Sequence, residues 1–592
     1  MTHSEKLSLL RDSMQRAKID AYIISLADPH ISEYLPERYK NIEWLSGFTG
    51  SAGTLVITAH FAGLWADSRY FVQAAEQLEG TGFELVKLKV QGAAEYGEWL
   101  AEHLPSGATV AFDGKLVSIA AAQQVITGLA GKAIAVRTDA DLIDPIWTDR
   151  PALPTEQAYL ISETQTGKST TEKIAEVRAA MHKKGADFHL VSSLDDISWI
   201  FNIRGGDVKC NPVVLSFAVF SPDRVELFID RQKLNAGDLS KLEQSGITIS
   251  DYHDITLALE RIPAGKRVLI DPKRNCYAYF DRIPKACIKI QDINPSTHLK
   301  AIKNNVELKH MRHTMAKDGA ALTRFFFWLE QNVGKEEVSE ISLADKLKSF
   351  RAEQDGFVGE SFDTIAGYRE HGALPHYKAV PESNAVLEKK GLLLVDSGGQ
   401  YTTGTTDITR VVSLGEATDE EKTDYTLVLK AMIEGSMCNY PAGTRGYQID
   451  AITRKPLWDY QRNYGHGTGH GIGFFLNVHE GPHVFNSAPI DIAIEPGMVT
   501  SIEPGLYREG EYGIRIENLV ASHWTENTFF GQFMNFETLT LCYIETSLVR
   551  KELLDQPHID WLNAYHQKVY EQVSPLLSGE ENQWLSEKTQ PI

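Results

Sequence analysis

Cysteine is scarce in this chain. Five thiols, Cys210, Cys276, Cys287, Cys438 and Cys542, are spread over 592 residues. Their odd number and wide spacing exclude a disulfide framework and a zinc-ribbon pattern. Long apolar runs are missing too: stretches such as residues 392–395 fall far short of the roughly 20 residues that cross a bilayer. The polar N-terminal segment reads as an amphipathic helix without the apolar stretch of a secretory leader, so the expected compartment is the cytoplasm. Positive charge is in deficit. With 59 Lys and Arg against 79 Asp and Glu, the formal net charge is -20, which disfavours nucleic acid and anionic membrane as partners. No low-complexity segment is present. What remains is ordinary globular composition, 43% hydrophobic and 23% charged. The chain is too long for one core, so three or four domains are expected.

The first half contains an internal repeat. Arg11-x-x-Met14 leads to Asp20-Ala-Tyr-Ile-Ile-Ser25, and Arg178-x-x-Met181 leads to Asp187-Phe-His-Leu-Val-Ser192. Each copy reads as a helix feeding a buried strand. Each is followed by Ile-x-Trp (Ile42 to Trp44, Ile197 to Trp199) and then by glycines (Gly47 and Gly50, Gly205 and Gly206). So wide a separation points to two related α/β domains, because a solenoid repeats at a far shorter period. The expected division is 1–154, ending in a proline-bearing linker, then 155–305, 306–534 and a C-terminal extension, 535–592. A charged helix is expected over residues 298–315. In the tail, a strand is expected over 538–543, then a helix with Ile559, Leu562, Tyr565 and Val569 on one face.

Chemistry-bearing residues lie in the second half. Asp396 ends the apolar run Leu392-Leu-Leu-Val, ahead of Ser-Gly-Gly turn chemistry. Asp407 opens a second strand-like run. A hairpin centred between Tyr401 and Thr402 places the two aspartates opposite each other, where like charges destabilise a sheet unless a cation lies between them. Tyr464-Gly-His466-Gly-Thr-Gly-His470-Gly-Ile-Gly473 holds two histidines four apart, but alternating glycines forbid a helix. It reads as a loop whose backbone closely approaches something. His479-Glu480-Gly-Pro482-His483 also looks turn-like. Glu503 follows a short strand and precedes Pro-Gly. In Gly513-Ile-Arg515-Ile-Glu517-Asn518, alternation points Arg515 and Glu517 the same way. Asp396, Asp407, His470, Glu503 and Glu517 make a set of four carboxylates and one imidazole. Such a set suits a pair of divalent cations, and paired cations point to activated water and hydrolysis.

The order of these motifs resembles the metal-binding pattern of the pita-bread metallopeptidases, a family that includes methionine aminopeptidase, prolidase, aminopeptidase P and the non-peptidase creatinase. Gly-His466-Gly-Thr-Gly-His470-Gly with Asn477-Val-His479-Glu-Gly-Pro482 looks most like aminopeptidase P, and Leu374-Pro-His376-Tyr377 fits the same branch. The duplicated first half and the tail resemble its large cytosolic type. The resemblance implies an α/β and α+β multidomain fold: two related creatinase-type N-terminal α/β domains, then a pita-bread catalytic domain with a C-terminal extension.

It also implies roles. Asp407 and Glu517 bridge two metals, Asp396 completes one site, and His470 with Glu503 the other. His376, His466 and His479 match outer-site histidines that position substrate and stabilise the tetrahedral intermediate. Arg515 matches a supporting or substrate-contacting arginine, and Glu503 is the expected proton shuttle. The implied cofactors are two divalent ions, manganese being usual in this branch, with cobalt and zinc as other occupants. The implied partners are Xaa-Pro peptides and a second copy of the chain, with neither nucleic acid nor membrane. Prolidase, acting on dipeptides, is the near rival. Metal-free binding modules of this fold are marked by lost ligands, and all five are present here.

Overall fold

The computed structural model describes residues 1–89 and 94–592. The chain divides into two units, Met1–Ser162 with Lys168–Thr297, and Glu163–Gly167 with His298–Ile592.

The first unit carries the duplication. One six-stranded sheet runs in the order Glu84–Lys87, Ala62–Ala66, Thr54–Thr58, Ala21–Ser25, Thr109–Phe112, Ala135–Arg137. The other runs Ile247–Ser250, Val225–Ile229, Ser216–Phe220, Phe188–Val191, Arg267–Ile270, Ile288–Gln291. The two agree in strand order and in every pairing sense: parallel, antiparallel, antiparallel, parallel, parallel. Local chemistry repeats with the topology. Helices His3–Ala17 and Thr170–Lys183 both begin with a capping box, Thr2 with Glu5 and Ser169 with Glu172, which satisfies amide groups that a helix start leaves unpaired. At the foot of each leading strand, an aspartate accepts a backbone N–H at 2.8 Å: Asp20 from Thr109, and Asp187 from Arg267.

The second unit combines helices with several sheets. Asn305–Asn332 starts at an Asn304–Glu307 capping box, so the charged stretch expected as one helix over 298–315 is two, Pro295–Ala301 and this one. A three-stranded sheet places Leu392–Ser397 between Ile365–Tyr368 and Ile408–Ser413. Every residue of the central strand is buried, which accounts for its unbroken apolar run. A six-stranded sheet runs Tyr440–Pro441, Gly531–Thr538, Asn518–Thr528, Val499–Ile502, Gly469–Gly471, Glu480–Phe485. The tail strand therefore lies earlier than expected, ending at Thr538 instead of beginning there. In tail helix Gln556–Val573, Leu562, Tyr565 and Val569 are buried.

The hairpin register also corrects an expectation. Asp396 pairs with Thr409, not Asp407, and the turn centres on Thr402-Thr403. Moving the centre by one residue moves each partner by two, so Asp407 stays on the face that Asp396 and Thr409 share.

Arg410 ties the tail to this sheet. Its guanidinium is buried and donates to the carbonyls of Thr409, Glu517, Cys542 and Tyr543, to Asn518 Oδ1 and to the Tyr565 hydroxyl, all between 2.6 and 3.0 Å. Arg410→Met strands these acceptors and is expected to destabilise the fold by about 3–5 kcal/mol, as for the loss of one member of a buried charged network. Denaturant unfolding against the parent measures it.

Candidate metal centre

Five elements deliver the predicted ligands to one place. Asp396 lies near the end of Leu392–Ser397, and Asp407 directly precedes Ile408–Ser413. His470 is the middle residue of Gly469–Gly471, Glu503 follows Val499–Ile502, and Glu517 sits between Tyr512–Arg515 and Asn518–Thr528. The segment read as a loop around His470 is thus in part a short strand, and its glycines are needed for packing. A Cβ on Gly469 would stand 1.8 Å from the Ser501 carbonyl oxygen, and one on Gly471 2.3 Å from that of Glu480.

Ligand atoms of Asp407, His470 and Glu517 lie within 4.8 Å of one another. His470 Nε2 is 3.5 Å from Asp407 Oδ2 and 3.4 Å from Glu503 Oε1. Its Nδ1 stands 3.0 Å from the Gly471 carbonyl. An N–H donated there fixes the tautomer and leaves the Nε2 lone pair facing the carboxylates. Ser501 links two of the expected ligands: its hydroxyl accepts from the His470 amide at 3.0 Å and donates to Glu503 Oε1 at 3.2 Å.

Arg515 connects the remainder. It donates to Asp396 Oδ2 at 2.6 Å, the Tyr507 hydroxyl at 2.6 Å, the Pro375 carbonyl at 3.2 Å and Thr409 Oγ1 at 3.2 Å. Thr409 donates in turn to Glu517 Oε2 at 2.8 Å. The Tyr507 hydroxyl meets His466 Nε2 at 2.7 Å, and the Pro375 contact brings in the turn that carries His376. The rings of His470 and His479 meet edge to face, centroids 4.4 Å apart. His483 goes elsewhere. It lies on strand Glu480–Phe485, in a segment expected to be a turn, and is buried with its Nε2 3.2 Å from the Val499 carbonyl.

Comparison with known proteins agrees with this geometry. Residues 309–522 match metallopeptidase family M24, and 532–592 match the C-terminal region of that peptidase family. Residues 6–143 and 149–307 each match a creatinase/prolidase N-terminal domain. A probable Xaa-Pro aminopeptidase P of Neurospora crassa is 38% identical, over 100% of this chain and 89% of the relative. The chain belongs to the aminopeptidase P branch of family M24. The structure of X-prolyl aminopeptidase from Caenorhabditis elegans, a cytosolic enzyme with a di-nuclear active site, superposes with a TM-score of 0.95 at 34% identity, covering 100% of both chains. A Xaa-Pro dipeptidase from Bacillus anthracis reaches a TM-score of 0.51 at 26% identity, covering 64% of this chain and 99% of its own.

The donor set of this M24 chain fits divalent cations on its own physical terms. Asp396 Oδ1 and Glu517 Oε1 are buried and have no hydrogen-bond partner, an arrangement that is costly unless a ligand satisfies it. Burial, and then the charges of Asp396 and Glu503, raise Asp407 well above the ordinary carboxylate range. Burial and the Asp407 charge do the same to Glu517. Burial lifts Glu503 to about 7, with Arg515 opposing and Asp396 adding to the rise. Cations between these groups replace carboxylate repulsion with attraction.

Several supporting residues had no sequence signal of their own. Thr409, Ser501 and Tyr507 are ordinary strand or strand-end residues until the sheets assemble. Glu340 is another. From the start of helix Glu340–Ala352, its buried carboxylate accepts from the Tyr368 amide, His371 Nδ1, the Tyr377 hydroxyl and the Ala385 amide at 2.8 to 2.9 Å. Tyr377 adjoins His376, so Glu340 shapes that turn.

A pH signature follows. Between the ordinary glutamate value of 4.5 and about 7, folded Glu503 keeps its proton after the unfolded chain has lost it. The metal-free fold therefore loses stability as pH rises through that window, while bound cations require the ionised ligands. The rise in melting temperature on adding Mn2+ to metal-free protein is expected to be larger at pH 8 than at pH 5, as read by calorimetry. An equal rise at both would contradict the carboxylate crowding.

Proposed function

We infer that this chain is a dinuclear-metal aminopeptidase that releases the N-terminal residue from peptides with proline at the second position. The observation that carries the inference is its full-length likeness to an X-prolyl aminopeptidase with a di-nuclear site, joined to the donor cluster of Asp407, His470 and Glu517. Prolidase activity is the weaker alternative, since the dipeptidase structure answers to only 64% of the chain.

The Xaa-Pro bond calls for a dedicated site. Proline has no amide N–H and a fixed φ, so a peptidase that grips that N–H has nothing to hold. Asp396, Asp407, His470, Glu503 and Glu517 would hold the two cations. When bound, paired cations supply Lewis acidity, a lowered water pKa and a clamp on developing negative charge. Glu503, held by its Ser501 hydrogen bond, is assigned proton movement from the attacking water to the leaving nitrogen. His376 and His479 are assigned N–H donation to the developing oxyanion. His466 is assigned to substrate alignment, held by Tyr507, and Arg515 to orienting Asp396 and contacting substrate.

Manganese is the proposed metal, because four carboxylates and one imidazole form a hard, oxygen-rich set. Cobalt and zinc are the competing occupants. The cytoplasm is the proposed compartment, supported by the description of the C. elegans relative as cytosolic. A division at 1–154, 155–305, 306–534 and 535–592 and assembly as a homodimer complete the proposal, and light scattering reads the assembly.

Asp407→Asn and Glu517→Gln are each expected to lower metal content below two ions per chain and cut turnover of an Xaa-Pro tripeptide by more than about 1000-fold, without loss of the fold by circular dichroism. A tripeptide should be cleaved faster than the matching Xaa-Pro dipeptide. The reverse order would make the chain a prolidase.

A further inference from the structure

Two lysines sit just ahead of helix Asn305–Asn332. Lys303 and Glu480 form an ion pair whose side chains are only 1% and 2% exposed, and Lys300 Nζ lies 3.7 Å from the other Glu480 oxygen. The same short segment is tied down by its backbone. The Lys303 amide donates to the Gly497 carbonyl at 2.9 Å, and Ile302 bridges to Met498. Gly497 has φ +91°, and a Cβ there would stand 2.6 Å from the Lys303 carbonyl oxygen. The two lysines thus hold a fixed position beside the strand Val499–Ile502 that leads to Glu503.

Glu480 is no ordinary core acid. It immediately follows His479 and opens the strand that pairs with Gly469–Gly471, where it sits opposite Gly471. Its side chain therefore anchors the corner at which His479 meets the His470 ring. With Lys303 on one oxygen and Lys300 3.7 Å from the other, the Glu480 side chain is restrained, and with it the backbone from which His479 projects. Burying such a pair adds little net stability, whereas orientation is what a buried ion pair supplies well.

We propose that Lys303, seconded by Lys300, positions His479 by holding the Glu480 carboxylate. The residues ahead of the long helix then belong to the support of the reaction centre and are more than a connector. The inference rests on the oxyanion-donor role assigned above to His479.

The test is a set of double-mutant cycles in the full-length, metal-loaded enzyme, with an Xaa-Pro tripeptide as substrate. Lys303→Met and Glu480→Gln are each expected to lower kcat by about 10- to 100-fold, the scale of a small misplacement of a reacting group. KM should stay within a few-fold and metal content unchanged. Lys300→Met should lose less, because its contact is longer. In a His479→Ala background, Lys303→Met and Glu480→Gln should cost nothing further. Full, independent losses in that background would overturn the positioning role, and so would a normal kcat accompanied only by a lower melting temperature. Full kcat in His479→Ala itself would remove the donor role and the inference with it. If Lys303→Met does not fold, the isosteric Glu480→Gln carries the same comparison.

Discussion

One buried guanidinium organises the metal centre. Arg515 reaches Asp396 directly, Glu517 through Thr409, His466 through Tyr507, and the His376 turn through the Pro375 carbonyl. A planar cation with five donors can serve four directions at once, which a lysine cannot. It is also the positive charge among carboxylates that repel one another. Without it, Asp396 Oδ2 would lose its guanidinium donor, and the carboxylate crowding would act against the fold.

The same economy governs the shell behind the centre. Arg410 lies one residue from Thr409 and bonds the carbonyl of Glu517, and its other donors reach the tail at Cys542, Tyr543 and Tyr565. Glu340 fixes the turn beside His376, and Lys303 fixes the corner beside His479. Each of these charged side chains is buried, and each lies beside a residue assigned a role in the proposed reaction. The histidines themselves remain half-buried, so access for substrate and rigidity of support are assigned to different residues.

The duplication in the first unit was legible because its cues are local. The Arg-x-x-Met lead-in to Asp20 and Asp187, the helix–strand succession, Ile-x-Trp and the glycines after it all lie within short windows and repeat in order. The hairpin register was less legible, since Gly398, Gly399 and Thr402 to Gly404 offer turn chemistry at adjacent centres. An error of one residue there preserved the correct face, because strand alternation has period two. The helix expected over 298–315 failed for a local reason that could have been read: Asn304-x-x-Glu307 is a capping pair that starts a helix in the middle of that stretch.

The sequence by itself determined the candidate ligands and their order, the duplicated architecture and the family. Those properties reside in residue types and short spacings, and Asp396 at the end of an apolar run or His470 between glycines is visible without any partner. Only the tertiary structure decided which oxygens stay unpaired, that Arg515 serves four groups, that Glu503 is lifted to about 7, and that Lys303 meets Glu480 across 177 positions. Desolvation and long-range pairing depend on what the fold brings near, and no window of sequence contains that information.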